Sequence, residues 1–258
     1  IPKYYGLQNF GKPDVNKLLD GIDVNIKFNG ELRENQIKPV EKFLESARDP
    51  NKMGGLINLG CAAGKTVMSL NIISQLGKKT LVVVHKDFLL KQWKERIEQF
   101  LPDARVGLIK AKVIDIEDKD IVMASLQSLS MKEYDKGTFD EFGFMICDEV
   151  HHLSSEVFSR ALQKINCRYS LGLSATMTRK DGLSKVFKWH LGDIVYKNRQ
   201  KRVDNVDIIC YEYFVEDDRY SKEELLFNGK PNMARMINNI CEYEPRIDKL
   251  ISIIKKIK

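Results

Sequence analysis

One seam in the chain restricts its folding options more than any other. The uncharged run at 56–59 empties into Gly60-Cys-Ala-Ala-Gly-Lys-Thr66, and a helical pattern starts at once at Val67. A short run without polar alternation suits a strand buried on both faces. The helical stripe is Val67, Leu70, Ile73 and Leu76, and Gly77 stands where a helix stop is wanted. Similar runs recur at 81–84, 106–109, 121–124, 142–147 and 169–173. Between two of them lies a second stripe, Leu89, Trp93, Ile97 and Phe100, with Pro102 just beyond. Strands alternating with helices imply parallel neighbours joined by right-handed crossovers. The expected fold class is therefore α/β, a mainly parallel central sheet flanked by helices.

The glycine loop has a chemistry of its own. A strand–loop–helix of this kind points backbone N–H groups at phosphate oxygens, and the helix N-terminus adds partial positive charge. Gly60, Cys61, Ala62, Ala63 and Gly64 would form the cradle, with Gly64 allowing close approach. Lys65 would reach the β- and γ-phosphates, and the Thr66 hydroxyl would bind Mg²⁺. The expected cofactors are thus ATP and Mg²⁺. The general pattern has a glycine where this chain has Leu59.

Downstream, Asp148-Glu-Val-His-His152 follows the run at 142–147, which puts two carboxylates at the C-terminal end of a buried strand. Ligands of open α/β sheets bind at that end. Asp148 can hold the Mg²⁺ shell through water, and Glu149 can orient or deprotonate an attacking water. Zinc is not expected, because HExxH is absent and no further His or Cys lies at ligand spacing. Ser174-Ala-Thr176 closes the next run and should lie beside Asp148, with His151 linking the two by hydrogen bonding.

GKT, DEVHH and SAT in this order resemble the DExH branch of superfamily 2 helicases. The nearest likeness is to the XPB/UvsW-like group, which includes poxvirus transcript-release helicases. The group's loop Leu-Pro-Cys-Gly-Ala-Gly-Lys-Ser matches this chain at Leu59, Cys61, Ala63, Gly64 and Lys65, while Ala62 replaces a glycine. Leu59 is therefore normal for the group. The resemblance implies a RecA-like P-loop NTPase domain, the first motor domain of an ATP-dependent DNA helicase or translocase. Leu32-Arg33-Glu-Asn-Gln36 is similar to the group's LRxxQ element, so Gln36 would read the adenine edge beside Arg33. Phe28 would stack on the base or serve as plain core. His85 and Lys86 stand where the group has motif Ia, and Ser125-Leu-Gln127 resembles its Thr-Tyr-Gln motif. Arg179-Lys-Asp181 resembles the group's Arg-Glu-Asp element, with Lys180 in place of Glu adding positive charge where a DNA backbone would pass. In this family such residues hold a sugar-phosphate backbone without reading sequence. Ordinary loop capping accounts equally well for Ser125 and Gln127. Trp93 and Trp189 could stack on bases, although the position of Trp93 on an apolar stripe favours core. Two alternatives are a duplex translocase serving a nuclease and a nucleotide-gated scaffold that does not hydrolyse.

Composition agrees with this reading without proving it. A net charge of +6 permits DNA, single-stranded or duplex, or RNA as partner. The five cysteines are Cys61, Cys147, Cys167, Cys210 and Cys241; an odd count without CxxC suits a reducing intracellular compartment, host cell included if the protein is viral. No run approaches the roughly 18 apolar residues of a membrane span, and the start at Ile1 has no signal-peptide pattern. Residues 1–27 are expected to form an arm or small accessory lobe. Residues 28–200 form the ATP-binding domain, and 201–258 a connector to a second RecA-like domain that the chain lacks. The basic run Lys197–Arg202, read as a solvated linker, straddles the start of the connector, which goes on with a strand-like stretch at 206–214 and helices at 233–241 and 245–258. No Gly-Arg pair of a QxxGRxxR-type motif occurs. An arginine finger supplies about 10³–10⁵ in rate, so the chain alone is expected to bind nucleotide and hydrolyse it weakly.

Overall fold

The computed structural model describes residues 1–60, 62–149, 155–175, 184–198 and 209–257. Two compact units emerge, Ile1–Lys201 and Arg202–Lys258.

The first unit is built on a sheet whose strands are β1 (Gly54–Asn58), β2 (Thr80–Val84), β3 (Val106–Lys110), β4 (Val113–Asp115), β5 (Ile121–Ser125), β6 (Phe144–Cys147), β7 (Tyr169–Ser174) and β8 (Ile194–Lys197). Their spatial order is β4-β3-β5-β2-β6-β7-β1-β8. Every pairing is parallel except β3 with β4. Helices α1 (Lys3–Phe10), α2 (Glu34–Arg48), α3 (Lys65–Leu76), α4 (Asp87–Phe100), α5 (Leu126–Met131), α6 (Ser155–Leu162) and α7 (Ser184–Leu191) complete the unit.

The absence of alternation in the central strands has a direct cause: both faces are covered. Ile57, Val82, Val84 and Ile146 pack with Phe43, Leu70, Ile73, Trp93 and Ile97 from α2, α3 and α4. Their sequence neighbours Leu56, Leu81, Val83 and Cys147 pack with Leu129, Phe158 and Phe187 from α5, α6 and α7. Successive side chains of a strand point to opposite faces, so each strand feeds two cores.

Two expectations need correction. The run at 142–147 is strand only from Phe144. Gly143 and Phe144 both donate to the Lys79 carbonyl, and a Cβ on Gly143 would meet the Asp20 carbonyl at 2.3 Å. Phe142 is buried core, but it belongs to the turn before the ladder. The second correction concerns 206–214, whose described part, 209–214, forms no strand. Ile209, Tyr211 and Phe214 are exposed, so the β-rich composition there covers nothing. Trp189 is half-buried, its ring edge-on to Tyr5 at 5.2 Å between centroids. Through that contact, and a hydrogen bond from Tyr4 Oη to Ser170 Oγ of 2.7 Å, α1 joins the same unit as the sheet.

The second unit contains α8 (Asp218–Ser221), α9 (Met233–Glu242) and α10 (Glu244–Ile257). Asp217 caps α8 and accepts from Tyr243 Oη at 2.9 Å. The Arg219 hydrogen bonds hold its carboxyl well below the usual carboxylate range. No helix among the described residues is long and apolar enough to cross a membrane.

Candidate nucleotide site

The strands deliver the singled-out residues to one edge. Leu59 N donates to Ser174 O at 3.0 Å, tying the start of the glycine loop to the end of β7. Asp148 N donates to Val83 O at 3.0 Å, so Asp148 leaves β6 beside the end of β2. Parallel register makes this common edge unavoidable, since each strand ends its ladder in the same direction.

Two described residues of the loop lie in the left-handed region. Gly64, just before α3, has φ +78°, and Ala62 has φ +62°. Gly64 is required on two counts, because a Cβ there would lie 2.1 Å from Gln36 Nε2 as well as meeting backbone strain. Ala62 stands where the resembled group has glycine, and its conformation explains that glycine. An L-residue there costs on the order of 1–2 kcal/mol, which the rest of the loop must offset.

Gln36 is nearly fully buried and bridges two elements. Its Oε1 accepts from Arg33 N at 2.9 Å, and its Nε2 donates to Ala63 O at 3.2 Å. Lys65 is 8% exposed; its Nζ donates to Leu59 O at 3.2 Å and stands 3.4 Å from Glu149 Oε1. Glu149 is itself in the left-handed region at φ +50°. Asp148 is buried, and both of its oxygens accept: Oδ1 from Glu149 N at 2.9 Å and Oδ2 from Trp93 Nε1 at 2.8 Å. Burial pushes its carboxyl above the ordinary value, with the Trp93 hydrogen bond opposing.

A cavity of about 770 Å³ opens over these groups, within the range of small-molecule sites. It is lined by loop residues 62–67, Gln36, Arg33, Asp148, Glu149 and the polar side of α4 from Gln92 to Gln99. A phosphate chain with Mg²⁺ fits this donor set. A glycine cradle that a Cβ would fill, a buried lysine and two carboxylates face one space. Phe28 does not line the cavity: it stacks parallel on Phe100 at 5.6 Å, and Phe100 is the ring that reaches the wall.

The residues read as nucleic-acid contacts leave adjacent strands. Val84 and Ser125 are register partners, so His85 and Lys86 emerge beside Ser125. Lys86 is exposed and His85 half-buried. Gln127 sits in the first turn of α5 and is exposed, a helical position where a loop was expected. Ser174 is buried at the end of β7, with Ala175 half-buried after it. Cys61, His151, Thr176, Arg179 and Lys180, and with them most of the basic run after Lys197, lie outside the described residues.

Two contributions escaped the sequence reading: the polar side of α4 and the Trp93–Asp148 bond. Trp93 reads as core and is core, 1% exposed. A buried indole N–H nevertheless needs an acceptor, and that requirement was the available signal.

Comparison with known proteins agrees with this geometry. Residues 29–179 match the family described as type III restriction enzyme, res subunit. A protein of Acanthamoeba polyphaga mimivirus, provisionally named ATP-dependent RNA helicase, is 32% identical over the whole of this chain and 50% of its own length. The DNA 3'-5' translocase XPB2 of Sulfurisphaera tokodaii is 37% identical over 72% of this chain and 40% of that protein. The chain thus spans about half, or less, of the length of these relatives. Among solved structures, the UvsW helicase of bacteriophage T4 superposes with a TM-score of 0.54 at 19% identity, covering 69% of this chain and 64% of that one. At that identity the likeness is one of fold, and the fold is that of RecA-like helicase domains.

Proposed function

This chain belongs to the family of the type III restriction enzyme res subunit, and on that premise we propose that it is the ATP-binding half of a superfamily 2 motor that moves along DNA. The observation that carries the reading is convergence. Lys65, Asp148 and Glu149 come from two separate strand ends and meet under the Gly64 turn in one cavity.

Bound Mg²⁺·ATP would supply the γ-phosphoryl group and the charge that polarises it. The residues then divide the work. Backbone N–H groups from Gly60 to Lys65 cradle the phosphates, and Lys65 exchanges its contact with Glu149 for phosphate oxygens. Thr66 and Asp148 would hold the cation. Glu149, released from Lys65, orients the attacking water and takes its proton. Gln36, fixed by Arg33 N and Ala63 O, recognises the adenine edge. His151 and residues 174–176 couple this site to the nucleic-acid side. His85, Lys86, Ser125, Gln127, Arg179 and Lys180 grip a phosphate backbone. Adjacent emergence of His85 and Ser125 supports a single shared track.

The relatives' greater length supports a second RecA-like domain in the complete protein. That domain would close on the nucleotide and contribute an arginine finger. The test is the ATPase rate of this chain and of the full-length protein, each without nucleic acid and with single-stranded DNA, duplex DNA or RNA. The expected result is weak turnover by the chain and DNA-stimulated turnover by the full-length protein. Robust DNA-stimulated turnover by the chain alone would overturn the division of labour. Stimulation by RNA but not DNA would overturn the assignment of the track.

A further inference from the structure

We infer that Trp93 is a positioning residue for the metal-holding carboxylate, fixing the rotamer of Asp148 through its indole N–H; the inference rests on the nucleotide-site reading above. The geometry supplies three supports.

First, the bond is short, buried and between side chains far apart in sequence. Trp93 Nε1 to Asp148 Oδ2 is 2.8 Å, with Trp93 1% and Asp148 6% exposed. Second, the two carboxylate oxygens are engaged from different directions. Oδ1 accepts from Glu149 N at 2.9 Å, so the carboxylate is held at both ends. Each oxygen has about two acceptor directions, which leaves one on each for the cation's water shell. A carboxylate pinned at both oxygens loses its freedom to rotate about χ2 and presents those directions already set. Third, the donor rides on a rigid support. Trp93 projects from the middle of α4, whose Leu89, Leu90 and Ile97 are anchored in the core beneath α3 and the sheet. Gln92, Glu95 and Arg96 of the same helix line the cavity. The helix that walls the site also holds its carboxylate.

Packing alone does not account for this arrangement. Other core positions on α4 are filled by Leu89, Leu90 and Ile97, side chains without a donor. Indole is the core side chain that adds a donor without a hydroxyl or charge, and it is aimed at an acceptor in the cavity wall. Partners that orient metal-holding groups commonly matter about 10–100-fold in metal affinity.

The test is ADP affinity of this chain, titrated in chelator and in Mg²⁺, with the ratio of the two affinities as the readout. Two substitutions are compared with wild type. Trp93→Phe removes the N–H and some volume. Replacement of Trp93 by 3-benzothienylalanine removes the N–H and keeps the bicyclic shape, so it remains interpretable if Trp93→Phe folds poorly. The expected result is that the Mg²⁺ enhancement falls by about tenfold with the isostere, the low end for loss of an orienting partner. An isostere with the full wild-type enhancement would overturn the inference, whatever Trp93→Phe does, because shape alone would then suffice. If the wild-type chain binds ADP without any Mg²⁺ enhancement, Asp148 is not a metal-holding group and the inference also fails. If the wild-type chain binds no ADP at all, the nucleotide-site reading itself fails, a distinct result.

Discussion

Ala62 and Gly64 share the left-handed region but differ in what their substitution should do. Ala62 at φ +62° carries a strain that glycine would release. Ala62→Gly is therefore expected to raise stability by up to about 1 kcal/mol, measured by chemical denaturation; a loss of stability would contradict the strain argument. Gly64→Ala adds a Cβ 2.1 Å from Gln36 Nε2 in a backbone conformation that resists it. It is expected to weaken nucleotide binding at least tenfold, because Gln36 or the cradle must move. Asp148 makes a third case. Burial raises its carboxyl above the ordinary value, meaning that the ionised form is costly in the fold. Asp148→Asn removes the charge, and its single amide oxygen can serve only one of the two donors, Trp93 Nε1 and Glu149 N, while its NH₂ faces the other. It is expected to abolish the Mg²⁺ enhancement of nucleotide binding, read by ADP titration in chelator and in Mg²⁺. At this scale the sequence displayed the chemistry through residue type and order: Lys65, Asp148 and Glu149 were found from their places after strands. It did not display Trp93 as a donor or Phe100 as the cavity's ring. Both occupy stripe positions where apolar periodicity explains them completely, and direction within a core is a tertiary property.

Elements buried on both faces were readable, and those defined by a partner were not. β1, β2, β5 and β7 appear in the sequence as unbroken runs because two helical layers cover them. β4 is exposed and exists as an antiparallel partner of β3, and nothing local marks it. β8 is half-buried and adds to β1 through a register shift. Residues 209–214 show the reverse error: strand-like composition without a ladder in the described structure. β1 starts two residues before its apolar run, at Gly54 and Gly55, where a Cβ would meet Ser170 O at 2.3 Å and Val195 Cγ1 at 2.3 Å. Those glycines exist for close strand approach, which a hydropathy pattern does not record. At this scale Lys86 offers a test, since it is exposed directly before α4. Lys86→Ala is expected to weaken binding to any nucleic acid sequence alike and to lower the salt slope by about one. A sequence-dependent loss, read by fluorescence anisotropy on several oligonucleotides, would contradict backbone recognition.

For the molecule as a whole, a RecA-like unit presents a candidate nucleotide cavity and a candidate track along one edge of a single sheet. Its parallel topology is what allows seven strand ends and the loops beyond them to share that edge. The charge balance of the chain does not determine this function; a surplus of +6 is compatible with many partners. The proposed function rests instead on the local conjunction of a left-handed glycine turn, a buried lysine and paired carboxylates. The most direct measurement of that claim is equilibrium binding of Mg²⁺·ADP to this chain and to Lys65→Ala. Saturable one-to-one binding is expected of the wild type, with a loss of at least about 30-fold, or roughly 2 kcal/mol, in the variant. Equal affinity in the two proteins would show that nucleotide, if bound at all, is held elsewhere.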